Sequence, residues 1–492
     1  MSSTLAAGTG TNMSLKIEVP YVTRVEGHGN IVIDMKEGKL ITSHLEVVEP
    51  PRYFEAMVKG FSYTDIALIT SRICGICSVG HQMTSLKATE KALGIPVSEQ
   101  TVLLRKLLTY GATMQSHVLH IYFLAAPDLL GVPSVVPLAG SHPDVVKMAL
   151  RMKKLANDVC DRLGGRTIHP NRLVPGGFTR LPSMGDLRWM RDMLANQMVP
   201  DAKASLELLK SLVDKFPAFE RETEYVGLRD HGEYAFYDGK IASTDTGLSP
   251  VDDYLSITNE FVVPHSTAKH CRHARSSYFV GALGRLNNNF DLLNPLARSV
   301  ADQLGLKPIV KNPFLNTAAQ LVETVHVVEE SLKLLDQLLA RGINDEKPAV
   351  PDKLREGRGA EATEVPRGIL FHDYTYDNRG QIVKANCIIP TTQNTQSIDD
   401  DMRELVPWMI NKGMSQDQMT LTLEMLVRAY DPCISCSVHF LDVEFRGAQG
   451  SAQGAQGSAQ GAQGSAQSAQ GSAQGAQGSA QGAQGSARGA QK

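Results

Sequence analysis

Two short cysteine pairs at opposite ends of the chain constrain its folding more than any other feature. Cys74-Gly75-Ile76-Cys77 lies within residues 72–81, and Cys433-Ile434-Ser435-Cys436 lies within residues 431–439. Each pair has a histidine shortly behind it, His81 and His439. About 355 residues separate the pairs, so a shared site requires the two ends to fold together. Thiolates are soft ligands suited to zinc, iron and other late first-row metals. Spacing alone leaves three readings open: structural zinc, a redox or catalytic metal, or unrelated thiols. A structural zinc knot sits in a small, loop-rich module. These pairs are instead embedded in long apolar helical patterns.

The 492 residues carry a formal net charge of −3, with 21% charged and 42% hydrophobic residues. That balance belongs to a globular chain and gives no reason to expect nucleic acid or an anionic membrane surface. No run of about 18 apolar residues suggests a transmembrane helix. Residues 1–12 are small and polar and unlike a signal peptide. Seven cysteines in this length do not make a disulfide framework. Cys160 and Cys387 lie in apolar surroundings and read as inert thiols. His265, His270, Cys271 and His273 could bind a second metal, but Lys269, Arg272 and Arg275 are interleaved with them and oppose it.

Alternation over residues 15–23 and 30–47, with Glu37-Gly38 at a turn, predicts a small antiparallel sheet. Residues 98–125, 142–163, 184–215, 293–304 and 314–342 read as helices. Residues 234–246 predict a hairpin around Asp238-Gly239, and 367–389 another turning at 378–380. The stretch 343–364 is polar and reads as an exposed loop. Ser415 and Gln418 form a capping box opening a helix that delivers the second cysteine pair. The fold class is mainly α with small peripheral β-sheets (α+β). After Arg446 the chain becomes Gly-Ala-Gln and Gly-Ser-Ala-Gln repeats, which cannot bury a core.

The residues around the cysteines are similar to those of one family. Residues 72–81 with the helical run to Gly94, and Asp431-Pro432-Cys433-x-x-Cys436-x-x-His439, resemble the two signatures of nickel–iron hydrogenase large subunits. Arg24-Val25-Glu26-Gly27-His28-Gly29, Pro366-Arg367-Gly368 and Pro390-Thr391-Thr392 resemble three further motifs, in the family's order. The resemblance covers about residues 14–440. It implies a flexible start (1–13), a large-subunit domain with a helical core (14–439) and an extension (440–492).

The resemblance also implies a site. Cys74 and Cys433 would be terminal nickel ligands, and Cys77 and Cys436 would bridge nickel to an iron carrying CO and cyanide. His81 would hydrogen-bond a bridging sulfur. Arg367 would hang over the open face, oriented by Asp128 and Asp431. Pro390 and Thr391 would line the iron side, with the Thr391 hydroxyl on a cyanide. Glu26 would carry the proton released by heterolytic H2 cleavage. Glu55, the Cys387 carbonyl and His439 would hold magnesium or a similar ion.

Partners follow from the same resemblance. An iron–sulfur small subunit would take the electrons, since this chain has no spare cysteine set for iron–sulfur clusters. The segments 72–94 and 265–285 look most like the cytoplasmic multimeric branch, in which further subunits reduce NAD(P) or a deazaflavin. A maturation protease would cut after His439 once nickel-insertion factors have acted. Two other classes compete: a metal-free subunit related to respiratory complex I, and a zinc-stabilised scaffold.

Overall fold

Strands Leu15–Val19, Gly29–Lys36 and Lys39–Val47 pair antiparallel in that order. Alternate side chains such as Ile31 and Ile33 turn inward, as the sequence pattern predicts, and Glu37 and Gly38 both take positive φ at the turn. The computed structural model describes residues 14–438. Residues 1–13, expected from sequence to be flexible, together with His439 and the repeat tail, lie outside the described residues.

Long helices form the core. Glu99–Leu119 begins at a Ser98 cap and packs on Pro143–Gly164 and on Asn316–Arg341. The inner faces share one hydrophobic cluster. Glu99–Leu119 runs into a π-helical turn, His120–Ala125, which swings His120 inward. The predicted helix over 184–215 is interrupted by another such turn, Leu194–Met198.

Three expectations change. The stretch 343–364 is not all exposed loop: Gly357–Val365 is a strand with a largely buried second half. It pairs with Gly368–Tyr376, which pairs with Ile382–Ile388. This sheet lies against the helix Ser78–Leu93 rather than at the periphery. Its alternating polar residues misled the reading because Glu364 and Thr363 are buried with polar partners. The expected turn at Asp238-Gly239 falls instead at residues 244–246, between Lys240–Ser243 and Gly247–Ser249. A helix with no sequence expectation, Pro390–Asn411, runs inward past Thr391. Its many polar residues are buried on hydrogen bonds, which hid its periodicity.

The helix Ser78–Leu93 approaches this sheet very closely. A Cβ on Gly80 would lie 2.1 Å from Val365 Cγ1. Only glycine lets the first cysteine pair and the loop at residues 366–367 share one wall.

Candidate nickel–iron centre

Both cysteine pairs sit at helix edges. Cys77 caps the helix Ser78–Leu93, and Cys433 opens a 3-10 turn, Ile434–Cys436, after the helix Gln416–Ala429. The Ser415–Gln418 capping box expected at the start of that helix is present. Arg52 joins the two cysteine loops, donating one nitrogen to the carbonyls of Ile73 and Ser435, each at 2.6 Å. From behind, His169 donates its backbone N–H to Ser78 Oγ at 3.0 Å.

The four sulfurs converge and are buried. Cys74 Sγ lies 3.4 Å from Cys433 Sγ, and Cys74, Cys433 and Cys436 present sulfurs within 4.8 Å of one another. Cys77, Cys433 and Cys436 line a small cavity with His81, Val365, Arg367, Ile389, Pro390 and Thr391. Contact with Cys74 and then burial push the Cys77 thiol well up, and burial does the same at Cys433 and Cys436. Bare thiolates are therefore costly here. Two cations bound among the four sulfurs would remove that cost, so the donor set fits a dinuclear nickel–iron group.

Arg367 lies over this cluster. Its Nη1 donates to Cys77 Sγ at 3.3 Å and its Nη2 to Asp431 Oδ1 at 2.8 Å, while Nε donates to the Asp431 carbonyl. Burial opposes its charge, but Asp431 and the cysteines outweigh burial and keep the guanidinium protonated. Gln320 donates to the other Asp431 oxygen at 3.1 Å. Arg285 anchors the loop itself, donating to the carbonyls of Val365 and Pro366 at 2.8 and 3.0 Å.

Asp128 does not orient Arg367. It accepts from Arg428 Nε at 2.7 Å and Nη2 at 3.0 Å, and from Arg24 Nη2. Arg428 also donates to the Thr23 carbonyl at 3.1 Å. Asp128 thus latches residues 23–24 to the helix leading to Cys433. The sequence left two carboxylates for one guanidinium, and the second belongs to two other arginines.

That latch sets Glu26 on the second cysteine pair. The Cys433 thiol donates to Glu26 Oε2 at 3.1 Å, Ser435 N–H donates to the same oxygen at 3.2 Å, and Ser435 Oγ donates to Oε1. Glu26 is half-buried, so it is neither the free surface glutamate of composition nor fully enclosed. Gly27 makes the approach possible. It has φ +84°, and a Cβ there would lie 2.8 Å from both Ile434 Cβ and Ser435 N.

On the opposite side, Pro390 and Thr391 begin the helix Pro390–Asn411, so its positive end faces the cavity. Thr391 Oγ1 accepts from the Cys433 N–H at 2.9 Å, leaving its own proton to donate. His81 lines the cavity, and its Nδ1 lies 3.1 Å from His372 Nε2. Glu55 and Cys387 are both buried beside the site. Burial and then the Glu55 carboxylate push the Cys387 thiol up, which places the two groups together. Their expected companion, His439, lies outside the described residues.

Sequence reasoning missed Ser435, Arg52, Gln320 and His372. Ser435 was visible between the cysteines, where a hydroxyl beside a metal ligand is a chemical signal. The other three are distant in sequence and carry no local pattern.

Four buried cysteines from the two chain ends, crossed by an arginine and touched by a carboxyl, have the makings of a buried thiolate metal centre. Family comparison gives its kind. The model described as "Nickel-dependent hydrogenase" matches residues 52–141 and 227–439, and one described as "HoxL-like" matches 16–49. The chain belongs to the nickel-dependent hydrogenase family and is its large, catalytic subunit, an oxidoreductase. It is 34% identical to sulfhydrogenase 1 subunit alpha of Pyrococcus furiosus, over 87% of this chain and 99% of that one. It is 30% identical to the NAD-reducing hydrogenase HoxS subunit beta of Cupriavidus necator, over 87% and 96%. An H2-reduced NAD+-reducing [NiFe]-hydrogenase structure superposes with a TM-score of 0.78 at 26% identity, covering 87% of this chain and 100% of that one. The metal-free and zinc-scaffold readings are not favoured by these relatives. No described helix is long and apolar enough to cross a membrane.

Proposed function

We propose that this subunit splits H2 reversibly at a nickel–iron centre held by Cys74, Cys77, Cys433 and Cys436, with Glu26 as its proton carrier. The 3.1 Å contact between the Cys433 sulfur and Glu26 Oε2 carries this reading. A bound centre would supply the cleavage of H2 and a path for its electrons. The protein supplies the rest. Glu26 Oε2 takes the proton from the Cys433 sulfur, while Ser435 holds Oε1 and keeps the carboxyl aimed. Being half-buried, Glu26 then passes the proton toward solvent.

Arg367 holds a fixed positive charge over the sulfurs and excludes water from them. The Thr391 hydroxyl and the start of its helix favour anionic ligands such as cyanide on the iron side. Carbon monoxide would complete an Fe(CO)(CN)2 unit in this cavity. His81 would donate to a bridging sulfur. Glu55, the Cys387 carbonyl and His439 would bind magnesium or a similar ion. The electrons would leave to an iron–sulfur small subunit. Further subunits would reduce NAD(P) or a deazaflavin in the cytoplasm, and nickel-insertion factors and a protease cutting after His439 would mature the chain.

The test is metal analysis with infrared spectroscopy on the complex produced with its maturation system. Nickel and iron near one each, with CO and cyanide bands, are expected. Zinc among the cysteines without such bands would overturn the proposal.

A further inference from the structure

The cluster at residues 265–273 divides in the folded chain. His273 turns to Glu224, Lys269 pairs with Glu260 at 2.7 Å, and Arg275 pairs with Asp245. Arg272 lies over the Phe261 ring, and Cys271 is buried in a separate apolar cluster. The cations that argued against a metal are thus engaged elsewhere. His265 and His270 remain, and both aim Nε2 at one oxygen of Asp399.

Five residues apart on a regular strand, these histidines would face opposite ways. His265 instead sits in the turn at residues 264–265, just before the strand Ser266–His270, and its ring comes round to the side of His270, over the helix Pro390–Asn411. One ligand atom from each of His265, His270 and Asp399 lies within 4.8 Å of the other two.

The distances are compatible with a shared ion. Each Nε2 is 3.3 Å from Asp399 Oδ2. Charge-assisted N–H···O bonds are shorter, about 2.7–2.9 Å. Ligands about 2.0–2.1 Å from a tetrahedral ion sit about 3.3–3.4 Å apart. Asp399 Oδ1 is already taken by the Leu45 N–H at 2.8 Å, which orients Oδ2. His270 is fully buried and its Nδ1 has no partner among the described residues, so Nε2 must supply all of its stabilisation. His44 stacks on His265, with ring centroids 4.0 Å apart, and fixes its plane. His265 is a quarter exposed, which leaves a side open for an ion and water.

We infer that His265, His270 and Asp399 form a second metal site, taking one divalent ion of the zinc class. Two imidazoles and a carboxylate suit such borderline ions better than magnesium or calcium. Asp399 lies eight residues beyond Thr391 on the same helix, about 12 Å along its axis. The ion would staple the N-terminal sheet, the strand Ser266–His270 and that helix together. This site is independent of the nickel–iron reading.

The test uses the complete mature complex, dialysed against zinc and then against zinc-free buffer. Wild type should retain one zinc per chain beyond nickel and iron, with a first shell of nitrogen and oxygen only by zinc-edge X-ray absorption. His265→Ala, at a partly exposed position, should lose that equivalent and keep its nickel and iron. Asp399→Asn should lose it too. If Asp399→Asn does not fold, His265→Ala decides alone. No retained zinc in wild type, zinc unchanged in His265→Ala, or sulfur in the zinc shell would each overturn the assignment.

Discussion

At the scale of single residues, the site depends on groups that touch sulfur. Glu26 meets the Cys433 sulfur directly. Glu26→Gln keeps its size and one accepting oxygen for the Ser435 N–H, with its NH2 left to donate to Ser435 Oγ, but removes the proton-accepting carboxylate. H2 oxidation should fall by about 100-fold or more, with nickel, iron and infrared bands unchanged. Equal loss of metal and activity would mean that Glu26 merely holds the loop. Arg367 makes three directed contacts, to Cys77, the Asp431 carboxylate and the Asp431 carbonyl. A lysine offers one point charge and cannot reproduce that fork. Arg367→Lys should lower turnover about 100- to 1,000-fold in fully metallated enzyme. The cysteines, Glu26 and Arg367 were legible in sequence because each lies in a short motif whose chemistry is unusual. Arg52 and Gln320 were not, because their roles exist only after distant segments meet.

At the scale of elements, the latch around Asp128 separates two roles that sequence merged. Asp128 is buried between Arg24 and Arg428 and binds residues 23–24 to the helix Gln416–Ala429. Removing its charge takes the carboxylate partner from Arg24 and leaves Arg428 only Glu424. Asp128→Asn should destabilise the subunit by about 3 kcal/mol, read as an earlier denaturant midpoint. Arg367 keeps Asp431, so turnover per nickel in the surviving fraction should stay within about threefold of wild type, a bound of about 0.7 kcal/mol on the barrier. A drop as deep as that of Arg367→Lys would restore Asp128 to the role expected from sequence. Two elements that the sequence did not reveal share one cause. Gly357–Val365 and Pro390–Asn411 bury polar side chains on specific partners, so polarity signalled exposure where the fold supplies hydrogen bonds.

At the scale of the whole molecule, buried polar groups also set how the fold responds to acid. His326 lies in the middle of Asn316–Arg341, the long helix packed against Glu99–Leu119. The Asn294 N–H donates to His326 Nδ1 at 3.2 Å, so that nitrogen needs its lone pair. Burial pushes the imidazole down to about 4, against a smaller upward pull from Glu330 and Glu323. The folded state therefore holds this histidine neutral, whereas the unfolded chain protonates it near pH 6.5. The stabilisation is fully present above pH 6.5 and drains away as pH falls toward 4. Its size is up to about 3 kcal/mol. In His326→Gln, the Gln carbonyl can still accept from Asn294, and nothing titrates. The variant should be less stable than wild type at pH 7 because it packs less well against Tyr234, whose ring lies 4.8 Å from that of His326. The gap should close, or reverse, between pH 6.5 and 4.5 when unfolding midpoints are compared. A gap that stays constant across that range would show that His326 titrates alike in the folded and unfolded chains.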